Sequence, residues 1–235
     1  MEAIILAGGF GTRLSHIVSD VPKPMAPING EPFLKYLFDY LLKDGVSHVV
    51  FAVGYKYGAI ESYFGHNYRG IKITYSIEDV PLGTGGAIKK AINCCQEEEV
   101  FVLNGDTFFE VNLMAMKAYH DKRRSQLTIA VKALSNFDRY GSVIIENSVI
   151  TEFKEKKPTT YGKINAGTYL LKRSLLASIE EESFSFEKKI LESGIVKIYA
   201  YESTGYFIDI GVPDDYQKAQ IDFGQFESGV GKVDE

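Results

Sequence analysis

Short apolar runs alternate with helix-spaced segments along the first half of the chain. Residues 3–7 (AIILA), 49–53 (VVFAV) and 100–103 (VFVL) are continuously apolar, the pattern of strands buried on both faces. Residues 71–77 (IKITYSI) alternate apolar with polar, the pattern of a strand with one wetter face. Between them Phe33, Leu34, Leu37, Phe38, Leu41 and Leu42 recur at helical spacing within 32–43, and Gly45 stops the run. Shorter helices are expected over 59–64, 87–93 and 113–120. Such alternation predicts an α/β fold with a doubly wound, mostly parallel sheet. The second half is richer in strands, expected over 127–131, 142–145, 149–154, 165–171, 196–200 and 206–210, with Glu146-Asn147-Ser148 as a hairpin turn. Short helices are expected over 174–179 and 186–192, and a closing helix over 213–222 with Pro213 in its first turn. The residues after Phe223 are expected to fray.

The strand ends carry the candidate chemistry. Residues 3–7 break at once into Gly8-Gly9-Phe10-Gly11, followed by Thr12 and Arg13. Glycines there free backbone N–H groups to face a ligand and keep side chains out of its way. Arginine adds a planar cation suited to phosphate oxygens. The loop is not the dinucleotide fingerprint, which needs a third glycine where Leu14 stands, nor a P-loop, which ends in Gly-Lys-Ser/Thr. By itself it reads equally as an anion site or as a tight turn without a ligand; Arg13 and Lys23 close behind favour the ligand. A second glycine-rich turn spans 81–86 (PLGTGG), and the strand at 100–103 ends in Asn104-Gly105-Asp106. Ligands of open doubly wound sheets sit beyond the carboxyl ends of the strands, so the three signals converge on one edge.

Composition narrows the classes. With 45% hydrophobic and 24% charged residues, the chain has the make-up of a soluble globular protein with a sizeable core. A net charge of −5 argues against a general nucleic-acid binder. No apolar run nears the roughly 20 residues of a membrane span, and the apolar stretch at the N-terminus is too short for a signal peptide. Cys94 and Cys95 are adjacent, which disfavours a disulfide, and without further ligands they make no zinc site. A reducing cytoplasm is therefore the expected location. His16, His48, His66 and His120 are scattered and no Gly-x-Ser-x-Gly elbow occurs, so covalent catalysis is not expected. No linker, low-complexity segment or repeat divides the chain.

Two carboxylates stand out. Asp106 closes an apolar strand through Gly105 and reads either as a turn cap or as a group facing the ligand. Asp209, in Phe207-Ile208-Asp209-Ile210-Gly211, lies inside an apolar strand, and a buried aspartate needs an arginine or a metal. Two carboxylates on separate strands can hold Mg2+ if the fold brings them together. Lys23, between Pro22 and Pro24, has a nearly fixed backbone, useful for placing a cation on a phosphate and equally the mark of a rigid connector. Residues 152–158 (EFKEKKP) read on pattern as a solvated strand edge guarded by lysines.

Taken together and in this order, Gly8-Gly9-x-Gly11-Thr12-Arg13-Leu14, Pro22-Lys23-Pro24-Met25, the 81–86 turn, Asn104-Gly105-Asp106, Phe153-Lys154-Glu155-Lys156 and Asp209-Ile210-Gly211 resemble the sugar-1-phosphate nucleotidyltransferases. The resemblance covers residues 1 to about 220. It implies one Rossmann-like domain, 1–235, with a nucleotide-binding half (1–125), a strand-rich sugar-phosphate-binding half (126–223) and a tail (224–235). It implies a nucleoside triphosphate and a sugar 1-phosphate as partners, Mg2+ as cofactor, no nucleic acid or membrane, and room for a homo-oligomer. Leu6, Ala7, Gly8, Gly9, Gly11, Thr12, Thr84 and Asn104 would wrap the nucleotide, and Gly83 and Gly86 would leave room for its base or ribose. Arg13 would hold the departing pyrophosphate, Lys23 the phosphates at the reacting centre, and Asp106 and Asp209 the metal. Lys156 would grip the sugar phosphate, with Glu155, Asn165 and the Gly141 backbone at the sugar hydroxyls. Glu78 precedes the second glycine-rich turn, where the family reads the base. A carboxylate there suits the adjacent N1–H and N2–H2 of guanine and repels the acceptors that flank the N–H of uracil, so GTP is the expected donor. Two departures follow. Tyr206-Phe207 stand where relatives often carry tryptophan, so the acceptor pocket is expected to differ, and without hexapeptide repeats no appended β-helix is expected.

Overall fold

The structure, a computed structural model, describes residues 1–9, 21–54 and 56–227. Its first half runs β1 (Glu2–Leu6), β2 (Pro27–Ile28), β3 (Glu31–Pro32), α1 (Phe33–Lys43), β4 (His48–Val53), α2 (Gly58–Phe64), β5 (Asn67–Tyr68), β6 (Ile71–Ile77), α3 (Gly83–Ala91), β7 (Glu99–Asn104), β8 (Thr107–Phe109) and α4 (Leu113–Lys122). The second half contributes β9 (Leu127–Phe137), β10 (Ser142–Glu146), β11 (Val149–Phe153), β12 (Thr159–Lys172), β13 (Ile198–Glu202), β14 (Phe207–Asp209) and α5 (Pro213–Glu227).

Ten of these strands form one mixed sheet in the order β10-β11-β13-β9-β12-β7-β1-β4-β6-β5. The block β7-β1-β4-β6 is parallel throughout. Strands β1, β4 and β7 are covered on both faces, which is why they read as unbroken apolar runs, while β6 alternates buried and wetter positions. On β1, Ala3 and Ile5 pack with Leu34, Leu37 and Phe38 of α1 and with Leu113 and Met116 of α4. Ile4 points the other way, into a cluster with Ala87, Ile88 and Ala91 of α3. Ile4 and Ile5 are fully buried, and each such side chain stabilises the fold by about 1.5–3 kcal/mol. The second half joins through β12, antiparallel to both β7 and β9, while β13 runs parallel to β9. No described helix is long and apolar enough to cross a membrane.

The structure departs from the sequence-based expectation at several elements. The 81–86 segment is not only a turn: α3 begins at Gly83, inside it. The expected helix over 174–179 is a single 3-10 turn, Arg173–Leu176, closed by i→i+3 hydrogen bonds before an exposed stretch. The one over 186–192 is a π-type turn, Glu187–Leu191, with Glu192 N–H bonded to the Glu187 carbonyl. The wider turn lets Phe186, Ile190 and Leu191 all be buried. Strands β9 and β12 extend well past their apolar cores because their polar ends pair with each other. Finally, α5 continues beyond Phe223 to Glu227 rather than ending there, with Asn29 bonded to its middle. The Asn29 N–H donates to Gln220 Oε1 (2.8 Å) and its side-chain amide to the Gln220 carbonyl (2.9 Å). The remainder of the expected tail, 228–235, lies outside the described residues.

Candidate active site

The site is assembled where β7 ends. Gly105 turns the chain so tightly that a Cβ there would meet the Leu6 carbonyl oxygen at 2.7 Å, and its N–H donates to that same oxygen. The turn delivers Asp106 and then β8, on which β14 lies antiparallel with Asp209 opposite Thr107. The Ile210 N–H closes the pairing on the Asp106 carbonyl (3.0 Å). Two carboxylates distant in sequence thus face one space.

Lys23 enters that space from the short turn Lys23–Met25, held between Pro22 and Pro24. Its Nζ bonds Asp106 and lies 3.5 Å from Asp209 Oδ1. The lysine side chain is 9% exposed, against 35% and 27% for the two carboxylates. Burial raises the Asp209 pKa above its ordinary value, and the negative charge of Asp106 adds to the rise; Lys23 and the Gly211 N–H oppose it. Two carboxylates crowded this way favour a cation between them. Their hard oxygen donors suit Mg2+ bound through few protein ligands. No cluster of three or more metal-ligating side chains occurs among the described residues.

Beside this centre a cavity of about 880 Å³ opens over the carboxyl ends of β1, β4, β6 and β7. Of the residues read as nucleotide-binding, Leu6, Ala7, Gly8, Gly9, Lys23, Glu78, Gly83, Thr84, Asn104 and Asp106 line it. Gly11, Thr12 and Arg13 lie outside the described residues. Among the described residues a Cβ on Gly9 would meet nothing within 4 Å, so their packing does not demand glycine there. Glu78 is anchored: the Leu82 N–H donates to its Oε2 (2.9 Å), and Oε1 lies 3.1 Å from where a Gly8 Cβ would be.

Pro81, Gly83 and Thr84 of the second glycine-rich segment line the cavity, whereas Gly85 and Gly86 make room for protein. A Cβ on Gly85 would stand 2.1 Å from the Phe184 ring, and one on Gly86 would stand 2.1 Å from the Glu182 carbonyl oxygen. The space these glycines leave is filled by chain from the second half, not by the cavity.

Of the residues read as sugar-phosphate-binding, Asp209 lies beside this cavity at Lys23, whereas Gly141, Glu155, Lys156 and Asn165 are not on its wall. Pairing of Ser142 with Ile164 brings the neighbouring Gly141 and Asn165 to one end of the sheet. Gly141 presses on the Lys154 carbonyl, where a Cβ would come to 2.6 Å. Asn165 donates to the Tyr169 hydroxyl (2.9 Å) and accepts from the Gly167 N–H (3.1 Å), in a bulge of β12. Gly167 has φ of +74°, and a Cβ there would strike the Asn104 amide at 2.5 Å, which ties this end of β12 to the cavity wall. Tyr140 links the same end to the carboxylates, its ring 5.6 Å from that of Phe207. Arg139 beside it pairs with Asp215 on α5. Glu155 and Lys156 are exposed on the loop between β11 and β12. Sequence patterns gave no warning of Glu187, Lys56 and Tyr57, which also line the cavity. Tyr140 and Arg139 carried a faint signal as neighbours of Gly141.

Comparison with known proteins adds to this geometry. The family model described as nucleotidyl transferase matches residues 2–225. The chain is 50% identical over 223 residues to the D-glycero-alpha-D-manno-heptose 1-phosphate guanylyltransferase of Aneurinibacillus thermoaerophilus, spanning 94% of this chain and 97% of that protein. It is 48% identical over 219 residues to the protein of the same name from Campylobacter jejuni, spanning 92% and 97%. Among solved structures, HddC from Yersinia pseudotuberculosis complexed with GMP-PN aligns with a TM-score of 0.86 at 37% identity, over 94% of this chain and 99% of that one.

Proposed function

This chain belongs to the nucleotidyl transferase family, and we propose that it transfers the GMP part of GTP to a sugar 1-phosphate, releasing pyrophosphate and a GDP-sugar. The acceptor is D-glycero-α-D-manno-heptose 1-phosphate, supported by 50% identity across nearly the whole length of a relative with that activity in its name. One observation carries the reaction type: Lys23, Asp106 and Asp209 meet beside a cavity whose wall is the glycine-rich end of β1.

An oxygen of the sugar phosphate attacks the α-phosphorus of GTP; a new P–O bond forms as the bond to the β-phosphate oxygen breaks, and pyrophosphate takes the electron pair. The nucleophile is already ionised at neutral pH, so no general base is required. Both reactants are anions, so the protein's work is positioning and charge neutralisation. Lys23 supplies buried positive charge at the reacting centre. Arg13 holds the leaving pyrophosphate and Lys156 the incoming sugar phosphate, both assigned by motif. Asp106 and Asp209 would hold Mg2+, which when bound supplies further positive charge to the phosphate oxygens. Glu78 reads guanine. Its Oε2 is committed once, to Leu82, and each carboxylate oxygen can accept two hydrogen bonds, so capacity for N1–H and N2–H2 remains. The free thiols of Cys94 and Cys95 suit a reducing cytoplasm, where GTP is at hand.

The test is pyrophosphate release with each of four nucleoside triphosphates against a panel of sugar 1-phosphates that includes the heptose and mannose compounds. GTP with the heptose 1-phosphate should give the highest kcat/KM. Release favouring UTP would overturn the guanine assignment, faster turnover of mannose 1-phosphate the heptose assignment, and no release with any pair the reading as an enzyme.

A further inference from the structure

Glu187 is a carboxylate on the cavity wall that the reaction as described above does not use. It is not on a loose loop. The segment before it is clamped to the start of α3: the Phe184 N–H bonds the Leu82 carbonyl (2.9 Å), the Gly85 N–H bonds the Phe184 carbonyl (2.9 Å), and the Phe186 N–H bonds Thr84 Oγ1 (2.9 Å). Glycines at 85 and 86 are what permit this approach. Thr84 then donates to Glu187 Oε2 (2.6 Å), and Ser185 donates to the same oxygen (2.8 Å). Both fixed donors are on Oε2; Oε1 receives no hydrogen bond from a described side chain or backbone group. The result is an acceptor oriented before any ligand arrives, at the first residue of a π-type turn, a feature frequent at functional sites.

Its place in the cavity indicates which ligand part it meets. Glu78 follows β6, whereas the Asn165–Tyr169 pair is on β12, four strand positions away in the order β12-β7-β1-β4-β6. Strands lie about 4.8 Å apart, so the two ends are separated by roughly 19 Å. Glu187 reaches the β12 end: the ring of its neighbour Phe186 packs edge-on against Tyr169 at 5.4 Å. Its charge also helps burial raise the Tyr169 phenol above the ordinary range. Glu187 thus stands between the two ends: it bonds Thr84, two residues after the Leu82 N–H that holds Glu78, and its charge reaches Tyr169, which bonds Asn165.

We propose that Glu187 is a specificity residue for the acceptor, its carboxylate accepting hydrogen bonds from hydroxyl groups of the sugar ring. This rests on the reading of the site as a sugar-1-phosphate guanylyltransferase. It divides recognition of the acceptor between two places: cations grip the phosphate, and the Glu187 carboxylate inspects the ring.

The experiment compares wild type with Glu187→Gln, which keeps the shape, and with Thr84→Val, which removes one donor that orients the carboxylate. KM is measured separately for GTP and for the heptose 1-phosphate, together with acceptors lacking one hydroxyl at a time. Glu187→Gln should raise the acceptor KM about tenfold or more, the size of one hydrogen bond to a charged group, with the GTP KM changed less than about twofold. Thr84→Val should shift the acceptor KM in the same direction by less. For the deoxy acceptor lacking the hydroxyl that is read, wild type and Glu187→Gln should converge. A rise in the GTP KM alone would overturn the proposal in favour of a ribose contact, and unchanged KM values for both substrates would reduce Glu187 to a structural tie. A wild type active with GTP keeps the site reading intact in either case; a wild type inactive with every pair would remove both.

Discussion

Replacing Lys23 with methionine separates its structural from its catalytic role. Methionine keeps most of the apolar stem and deletes the ammonium group that pairs with Asp106 and stands 3.5 Å from Asp209. At an effective dielectric of about 20, one such pair at that distance gains roughly 5 kcal/mol of gross Coulomb energy. Desolvation and screening offset most of it. Exposed pairs contribute about 0–1 kcal/mol net, and breaking fully buried ones costs about 3–5. A 9% exposed lysine between carboxylates that are about one-third exposed falls between these limits. The expected loss is about 2 kcal/mol, or roughly 4–8 °C in Tm for a chain of this size. Thermal melting in EDTA measures it. Without the lysine, Asp106 and Asp209 repel each other with no internal cation, so millimolar Mg2+ should restore more Tm to the variant than it adds to wild type. Asp106→Asn in the Lys23→Met background should abolish that recovery. Turnover should fall at least about 10²-fold, the usual cost of losing a charge-stabilising donor. A variant that melts with wild type in EDTA, or Mg2+ shifts equal in both proteins, would refute the shared-cation picture.

Three further outcomes follow from the packing and the chemistry. Gly86→Ala places a Cβ 2.1 Å from a backbone carbonyl that cannot rotate away, so it should cost more than Gly85→Ala, whose clash is with the Phe184 ring; denaturant melts should show about 1–3 kcal/mol or more for Gly86→Ala. His120 is fully buried, with Nδ1 bonded to Thr128 and Nε2 unpartnered 4.0 Å from Glu99. Burial pushes its pKa down to about 4, Lys172 and Lys117 add to the fall, and Asp121 opposes it. The unfolded chain therefore takes up the proton first, and stability should fall as pH drops from about 6.5 toward about 4, by up to about 3 kcal/mol. Melts of His120→Gln across that window should lack this component; an identical slope would sink the assignment. Glu78→Gln should erode the preference for GTP over UTP in the pyrophosphate assay, and an unchanged ratio would show that Glu78 does not read the base.

The parallel half of the fold was legible because β1, β4 and β7 are buried on both faces and β6 on one, so each run announced itself locally. Alternate residues of β1 enter two different cores, and the sequence shows this as one unbroken apolar stretch. The 81–86 segment shows the limit of such reading. Its glycines signalled that something approaches closely, and at Gly85 and Gly86 that neighbour is protein, Phe184 and Glu182. A glycine reports missing volume and not who fills it. The acceptor side was harder for the same reason. Gly141 and Asn165 are neighbours only through strand pairing, and Glu187 acquires its orientation from Thr84, over a hundred positions earlier in the chain.

The meeting of Asp106 and Asp209 is the least local feature of all. It depends on β8 and β14, each of three residues, too short to show any periodicity. What holds them together is a third, small core: Ile208 and Ile210 flank Asp209 and pack with Phe33 and Tyr36 of α1 and with Tyr216, Ala219 and Phe223 of α5. Tyr216 reinforces it by donating to the Pro27 carbonyl (2.6 Å), and Asn29 fastens the middle of α5. The closing helix, which carries no residue of the cavity wall, thus sets the position of one of the two carboxylates. The Lys23 turn leads into the same core through Ala26 and Ile28. Lys23 and Asp209 are therefore positioned by one packing unit. Changes in α5 should act on the site by moving Asp209 and Lys23 together, relative to Asp106 on the main sheet.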